Sequence, residues 1–418
     1  MKAMLAMSLN TLGNIMATHA SIIPLIGGET IGNELAFGKP PKYMLSYEPF
    51  INNDSHIVNY YRYKGFDVPY HLLDRDGDPR FDLYVDSVSS TCPCAGLSQL
   101  NANASAASDK NDWMVKTAEY VLDLVKPRVY WGENAPGLIG NMGEPVRSRL
   151  REVAGRYGYK VSYYKTATML HGLPQVRKRS FYFFWKSDRI PVLPWFRTSY
   201  VPVEALIRNV RANFQNEPIN TKIPSRDDPY YRYVLEVIHG GLTHRQFSEK
   251  MNAMPVRSND VQSIIEAEGH TYLQVAAWFR TQGYDKQAAR CEEIHEKLAA
   301  GGSIMRRATI IPKDRIGAFV GHYPTQTTHP DEDRYITYRE AMAIMGLPDD
   351  FELLNPKKFV NHICQNVPVP TARDVASGVL TALTEPEKLE WISADELYQD
   401  NMSKKIVPVR NASLSSFF

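Results

Sequence analysis

The chain has 418 residues, long enough for more than one hydrophobic core, and its 44% hydrophobic and 22% charged residues are the balance of a globular protein, not a disordered or fibrous one. A net charge of +2 neither demands nor excludes a polyanionic partner, because a basic groove can be offset by acids elsewhere. No run approaches the ~18 apolar residues of a membrane helix and the start lacks a secretory pattern, so a cytoplasmic protein with no membrane contact is expected.

In chain order, Ser21–Gly32 reads as a short strand, a glycine turn and a helix start, with Gly27 and Gly28 letting the backbone approach a ligand closely. Tyr43–Glu48 reads as a second strand ending in an acid, and Tyr70–Asp74 repeats that pattern. Carboxylates at such strand tips suit ribose hydroxyls (Glu48) and an adenine amino group (Asp74). Strands alternating with helices predict an α/β fold, a doubly wound and mostly parallel sheet.

The next strand is expected over Phe81–Val88, where β-branched and aromatic residues alternate. Behind it comes Ser89–Ser98, which contains Cys92, Pro93 and Cys94, and then the small, polar run Gln99–Asp112. A cysteine at a strand end, ahead of a flexible loop, sits where α/β enzymes place catalytic groups. Taken alone, a Pro-Cys pair is more often an inert, buried thiol. The four cysteines, Cys92, Cys94, Cys291 and Cys364, form no Cys-x-x-Cys pair, which points to no metal site and no disulfide framework.

Asp112–Val125 reads as an amphipathic helix stopped by Lys126-Pro127. Arg128–Trp131 is strand-like and delivers Glu133 and Asn134. Gln175, Arg177 and Arg179 precede the strand-like Ser180–Trp185, and alternation would put all three on one face.

Asp188 to about Gln326 changes texture: prolines first, then helices with scattered bases, including a threonine-capped one over Leu242–Met251 and two or three more between Asn259 and Ala300. Thr337 and Glu340 form a capping box for a helix over Tyr338–Met345, and Asn361–Pro370 opens the last helix, to about Leu383. Residues 384–418 look like an appended tail with a short helix at Ala394–Tyr398.

Taken in this order, Pro93-Cys94, Glu133-Asn134, Gln175-x-Arg177-x-Arg179, Arg334–Glu340 and Asn366-Val367-Pro368 resemble the cytosine-carbon-5 DNA methyltransferases. The resemblance covers most of residues 20–190 and 320–376. It implies a catalytic and cofactor domain over 1–187, a target-recognition domain over 188–326, late motifs returning to the catalytic domain over 327–383, and the tail. It also implies S-adenosylmethionine as cofactor and double-stranded DNA as partner, a flipped-out cytosine, and a monomer; whether a restriction partner exists is left open. By resemblance, Cys94 is the nucleophile and Glu133 the acid, with Asn134, Gln175, Arg177 and Arg179 around the base. Ile23, Leu25, Gly27, Gly28, Glu48, Asp74, Pro93 and Asn366 would surround the cofactor.

The chain also departs from the family: Ile23 and Leu25 stand where a phenylalanine and a glycine are usual, and Gln365 stands where a glycine is usual. These departures leave two alternatives, a modified sulfonium donor giving a different 5-substituent, and a DNA-binding homologue without catalysis.

Overall fold

The computed structural model describes residues 17–98, 105, 107–211, 214–253, 260–304, 306, 308–321 and 323–409. Its frame is a nine-stranded sheet. In chain order the strands are β1 (His19–Ile22), β2 (Met44–Ser46), β3 (Tyr70–Leu72), β4 (Ser87–Ser90), β5 (Val129–Asn134), β6 (Lys160–Ala167), β7 (Lys178–Trp185), β8 (Ile190–Pro191), β9 (Trp391–Ile392), β10 (Glu396–Asp400) and β11 (Lys405–Val409). Across the sheet they run β11-β10-β6-β7-β5-β4-β1-β2-β3, while β8 and β9 make a separate antiparallel pair. From β3 to β5 all pairs are parallel; β7 lies antiparallel between β5 and β6. The expected α/β class is observed, with the parallel strand ends on one edge.

Strand β4 is polar yet wholly buried, and its hydroxyls account for this. Ser87 accepts from the Trp131 indole at 3.3 Å, Ser89 from Asn33 at 3.0 Å, and Ser90 bonds the Tyr130 and Tyr182 hydroxyls at 2.8 and 2.9 Å. It begins later than expected. Residues 81–86 stay outside the ladder because their acids bind local groups: Asp82 accepts from the Tyr84 amide, and Asp86 from the Thr18 amide and hydroxyl.

The helices over Gly28–Phe37 and Val369–Thr384 pack face to face, and a Cβ at Gly32 would come within 2.5 Å of Ala372 Cβ. On the other face lie Asp112–Tyr120, continued by the turn Val121–Val125 and ended by left-handed Lys126, and Glu144–Tyr157. Helices His244–Ala253, Val261–Ala267, Tyr272–Thr281 and Asp285–Ala299 follow the expected pattern, and Thr243 and Gln246 form the anticipated cap. They share a core of their own, from Tyr231 to Ile311 and including Phe247, Ile264 and Phe279. The capping box at Thr337 and Glu340 is present, at 2.8 and 3.1 Å. No described helix is long and apolar enough to cross a membrane.

The end of the chain corrects the sequence reading. Ala394–Tyr398 is not a helix: Glu396–Asp400 is strand β10, inserted between β6 and β11 and buried over its first four residues. Parallel pairing with a strand formed about 235 residues earlier in the chain overrides its local helical character. Glu396 is held inside by Arg151, and Asn401 by Thr166 and Arg197. Residues 410–418 lie outside the described residues.

Candidate active site

Where the parallel strands end, the chain brings three of the expected groups together. Cys92 and Cys94, two residues apart, separate into different environments. Cys92 is buried among Ser90, Thr117 and Tyr182, and burial pushes its thiol up to about 11, a core thiol. Past Pro93 the backbone turns, and Cys94 is half-buried at the start of the turn Ala95–Leu97. Enclosure of its sulfur raises the Cys94 thiol, the Glu133 charge raises it further, and Arg179 and Arg177 pull it down. The flexible run expected over Gln99–Asp112 falls partly outside the described residues. Its described parts include the turn Asp109–Asn111, whose Asn111 is buried.

Glu133 is 3% exposed near the end of β5, and its carboxylate is ion-paired with the Arg179 guanidinium on β7. Asn134, the next residue, accepts from the Ala135 amide at 2.8 Å and so sets the chain's departure from the strand. Only Arg179 of the three expected alternating residues belongs to the β7 ladder, opposite Thr166. Gln175 and Arg177 precede the strand in a tight bend, where the Arg177 amide donates to the Gln175 carbonyl at 2.9 Å. Both therefore lie outside the ladder, although Arg177 stays close enough to Arg179, Glu133 and Cys94 to act on their charges.

What they do instead is bind segments together. The Arg177 guanidinium, buried, donates to the Phe319, Cys364 and Asn366 carbonyls at 3.0, 3.1 and 3.2 Å. Burial and the nearby Arg179 lower its pKa to about 9. Gln175 accepts from the Phe319 amide at 2.9 Å. The two residues thus tie the approach to β7 to the segment at Phe319 and to Cys364 and Asn366.

At the other end of the same edge, the turn after β1 carries Ile23 at φ 54°, Leu25 at φ 50° and Gly27 at φ 105°. Left-handed backbone is a genuine outlier for a β-branched residue, and each such residue holds roughly 1–2 kcal/mol of strain. A glycine at Leu25 would carry none. The surroundings hold the turn: the Thr91 amide donates to the Ile23 carbonyl, and buried Asp54 lies against the Leu25 amide while accepting from the Tyr70 hydroxyl at 2.8 Å. Burial pushes the Asp54 carboxyl up to about 7, against the opposing pull of Ser46, Tyr70 and that amide.

Gly28 opens the first helix with its amide donating to Asn366 Oδ1 at 2.8 Å, and a Cβ there would lie 2.1 Å from that oxygen and from the Val367 carbonyl. Asn366 Nδ2 is buried without a hydrogen-bond partner. Glu48 and Asp74 are exposed beyond the tips of β2 and β3, and Asp74 accepts from the Glu48 amide at 2.8 Å. A backbone cradle, an unused buried amide group and two exposed carboxylates fit a nucleoside carrying an amino-acid chain. Gln365 points elsewhere, accepting from Asn53 at 2.7 Å.

Two acids were not singled out from the sequence. Asp54 supports the strained turn, and its only signal was an acid inside a helix. Glu29 follows the glycine pair, is 1% exposed, and has neither carboxylate oxygen in a hydrogen bond of normal geometry. Burial, with Glu133 adding to it, raises its carboxyl well above the usual range.

Comparison with known proteins gives a consistent result. The family model of C-5 cytosine-specific DNA methylases matches residues 27–380. Among relatives, a Type II methyltransferase, M.MthTI of Methanothermobacter thermautotrophicus, is 25% identical over 272 residues, covering 63% of this chain and 70% of its own. Another, M1.HphI of Haemophilus parahaemolyticus, is 23% identical over 299 residues, covering 71% and 68%. Among solved structures, one described as a DNA modification methyltransferase encoded within an E. coli prophage superposes with a TM-score of 0.52 at 14% identity, over 88% of this chain and 99% of its own.

Proposed function

This chain belongs to the C-5 cytosine-specific DNA methylase family, matched over residues 27–380, and from that premise we propose how its residues carry the reaction. It is an S-adenosylmethionine-dependent DNA cytosine-C5 methyltransferase.

Carbon 5 of cytosine is a poor nucleophile. Cys94, as thiolate, adds to carbon 6 of a cytosine turned out of the duplex, and the electron pair of the 5,6 double bond becomes available at carbon 5. Glu133 gives a proton, or a strong hydrogen bond, to ring nitrogen 3, which drains charge from the adduct. Arg179, fixed by Glu133, presents its remaining guanidinium N–H groups to the base carbonyl oxygen. S-adenosylmethionine, when bound, supplies the electrophilic methyl carbon and leaves as a neutral thioether. Loss of the proton on carbon 5 to a base then returns its electron pair to the ring, the Cys94 sulfur leaves carbon 6 as thiolate, the double bond is restored, and ring nitrogen 3 gives its proton back to Glu133. The turn Ile23–Gly28, Pro93 and Asn366 would hold the amino-acid part of the cofactor, Glu48 its ribose, and Asp74 its adenine.

The observation that carries this reading is the convergence of Cys94, Glu133 and Arg179, from three separate segments, at one edge of the sheet. A duplex containing 5-fluorocytosine tests it. With cofactor present, the wild-type protein should form a denaturant-resistant complex with that DNA, and Cys94→Ala should form none. Tight DNA binding with no covalent complex in the wild type would overturn the route and favour a binding homologue.

One observation favours a second reading of the donor: Ile23 and Leu25 occupy left-handed positions in the cofactor turn that suit other residues. The same covalent chemistry with a modified sulfonium donor would leave a heavier 5-substituent. Mass spectrometry of nucleosides from expressing cells separates the two by added mass. We assign target reading to the helical region within 188–326, on the strength of its separate core.

A further inference from the structure

The family match ends at residue 380, yet β10 and β11 complete the sheet beyond it. With β6 and the start of β7 they enclose a cleft of about 350 Å³. Lys165, Lys178 and Lys405 line it, with Asp400, Tyr398 and Pro136. Lys165 lies 3.7 Å from Asp400, so one positive charge is offset. Lys178 and Lys405 are exposed and, among the described residues, have no ion-pair or hydrogen-bond partner for their ammonium groups.

The strand registers place this cleft relative to the chemistry. One rung crosses five strands: Asn134 on β5 opposes Ser180, Ser180 opposes Lys165, Lys165 opposes Asp400, and Asp400 opposes Lys405. The rung begins next to Glu133 and ends at an exposed lysine, its side chains on the face of the sheet opposite to those of Glu133 and Arg179. With strands ~4.8 Å apart, Lys165 and Lys405 stand about 10 and 19 Å along the edge from Asn134. At about 3.4 Å per nucleotide of one strand, that is three to six nucleotides from the flipped base. Edge protection explains part of the pattern, since lysines and a proline on an outer strand block unwanted pairing, and Lys404, Lys405 and Pro408 suit that purpose on β11. It does not explain Lys165 and Lys178, which belong to interior strands and face the same cleft.

We propose that this cleft is a backbone-phosphate site that receives duplex DNA flanking the target base, completed by two strands, β10 and β11, that the family match does not include. The assignment rests on the reading of the chain as a DNA methyltransferase. Phosphate contacts carry no sequence information, so the target sequence is not needed to test it.

The probe is a fluorescently labelled duplex of mixed sequence, with binding measured by anisotropy over a range of salt concentrations. The variants are the double substitution K178A/K405A and the single Asp400→Asn, which frees Lys165. K178A/K405A should lower the slope of log affinity against log salt by about 2, one for each phosphate that is no longer neutralised, and weaken binding roughly ten-fold near physiological salt. Single-turnover methyl transfer at saturating DNA should be unchanged. Asp400→Asn should move affinity the opposite way, so a misfolded double variant would still leave a test. If the wild type methylates DNA but both variants keep its affinity and slope, the phosphate site is wrong and the enzyme stands. If the wild type neither binds duplex nor transfers methyl groups, both readings fall. Weakened binding to single-stranded RNA with duplex binding intact would also overturn the proposal.

Discussion

The two ends of the catalytic edge are built on different principles. In the mechanism proposed above, function at the base end is carried by side chains: Cys94, Glu133 and Arg179 arrive from separate segments and meet through charge, over a scaffold that Arg177 and Gln175 tie down. At the cofactor end it is carried by backbone: left-handed turns at Ile23, Leu25 and Gly27, with Gly28 pressed against Asn366. The side-chain end keeps the residues on which the resemblance rests, whereas the backbone end departs from it at Ile23 and Leu25 and retains the turn through neighbours. A strained turn persists when its surroundings over-determine it.

The comparison breaks most sharply at Cys94. Cys94→Ser should lower single-turnover methyl transfer by at least roughly 10⁴-fold with unchanged thermal stability, as expected when a nucleophile is removed. Glu133→Gln should retain cofactor binding and lose about 10²–10⁴-fold in rate. If either variant instead loses cofactor binding, the two ends are not separable.

Substitutions that move structure come next. Gly28→Ala should destabilise by about 3 kcal/mol, because its Cβ meets Asn366 Oδ1 and the Val367 carbonyl at 2.1 Å. Loss of cofactor binding in calorimetry should accompany it. Arg177→Met should destabilise by a similar amount, about 3 kcal/mol, since three buried carbonyls lose their donor. Urea unfolding at fixed pH measures both.

A further effect is a pH slope. The Asp54 carboxyl stands at about 7 in the folded protein against 3.8 ordinarily. The folded state therefore holds a proton that the unfolded chain releases, and stability should fall as pH rises from about 4 to 7. Asp54→Asn should flatten that part of the urea-midpoint profile. Glu29 is shifted in the same direction, so Glu29→Gln should reduce the same decline; a steeper decline in either variant would refute the sign.

Much of the base end was legible in the sequence because its chemistry is local to each motif. Pro93-Cys94 follows the end of β4, and Glu133-Asn134 closes β5, so residue type and position coincide. The role of Arg177 was not legible, since its three partners lie more than 140 residues away and are backbone atoms of any residue type. The strands after residue 390 were misread for the same reason: β10 takes its conformation from β6, not from its own residues. The shift of β4 away from Phe81–Val88 has a nearer cause, acids that capture the amides a ladder would need.

That outermost hairpin also bears on how the molecule is made. Strand β6 is synthesised more than 200 residues before β10, its parallel neighbour. For more than 200 residues of synthesis one flank of β6 therefore waits with open amides and carbonyls, a template for any passing extended segment. The sheet reaches its resting topology only once β10 and β11 have left the ribosome, and a chain cut after Thr384 would carry that adhesive margin bare.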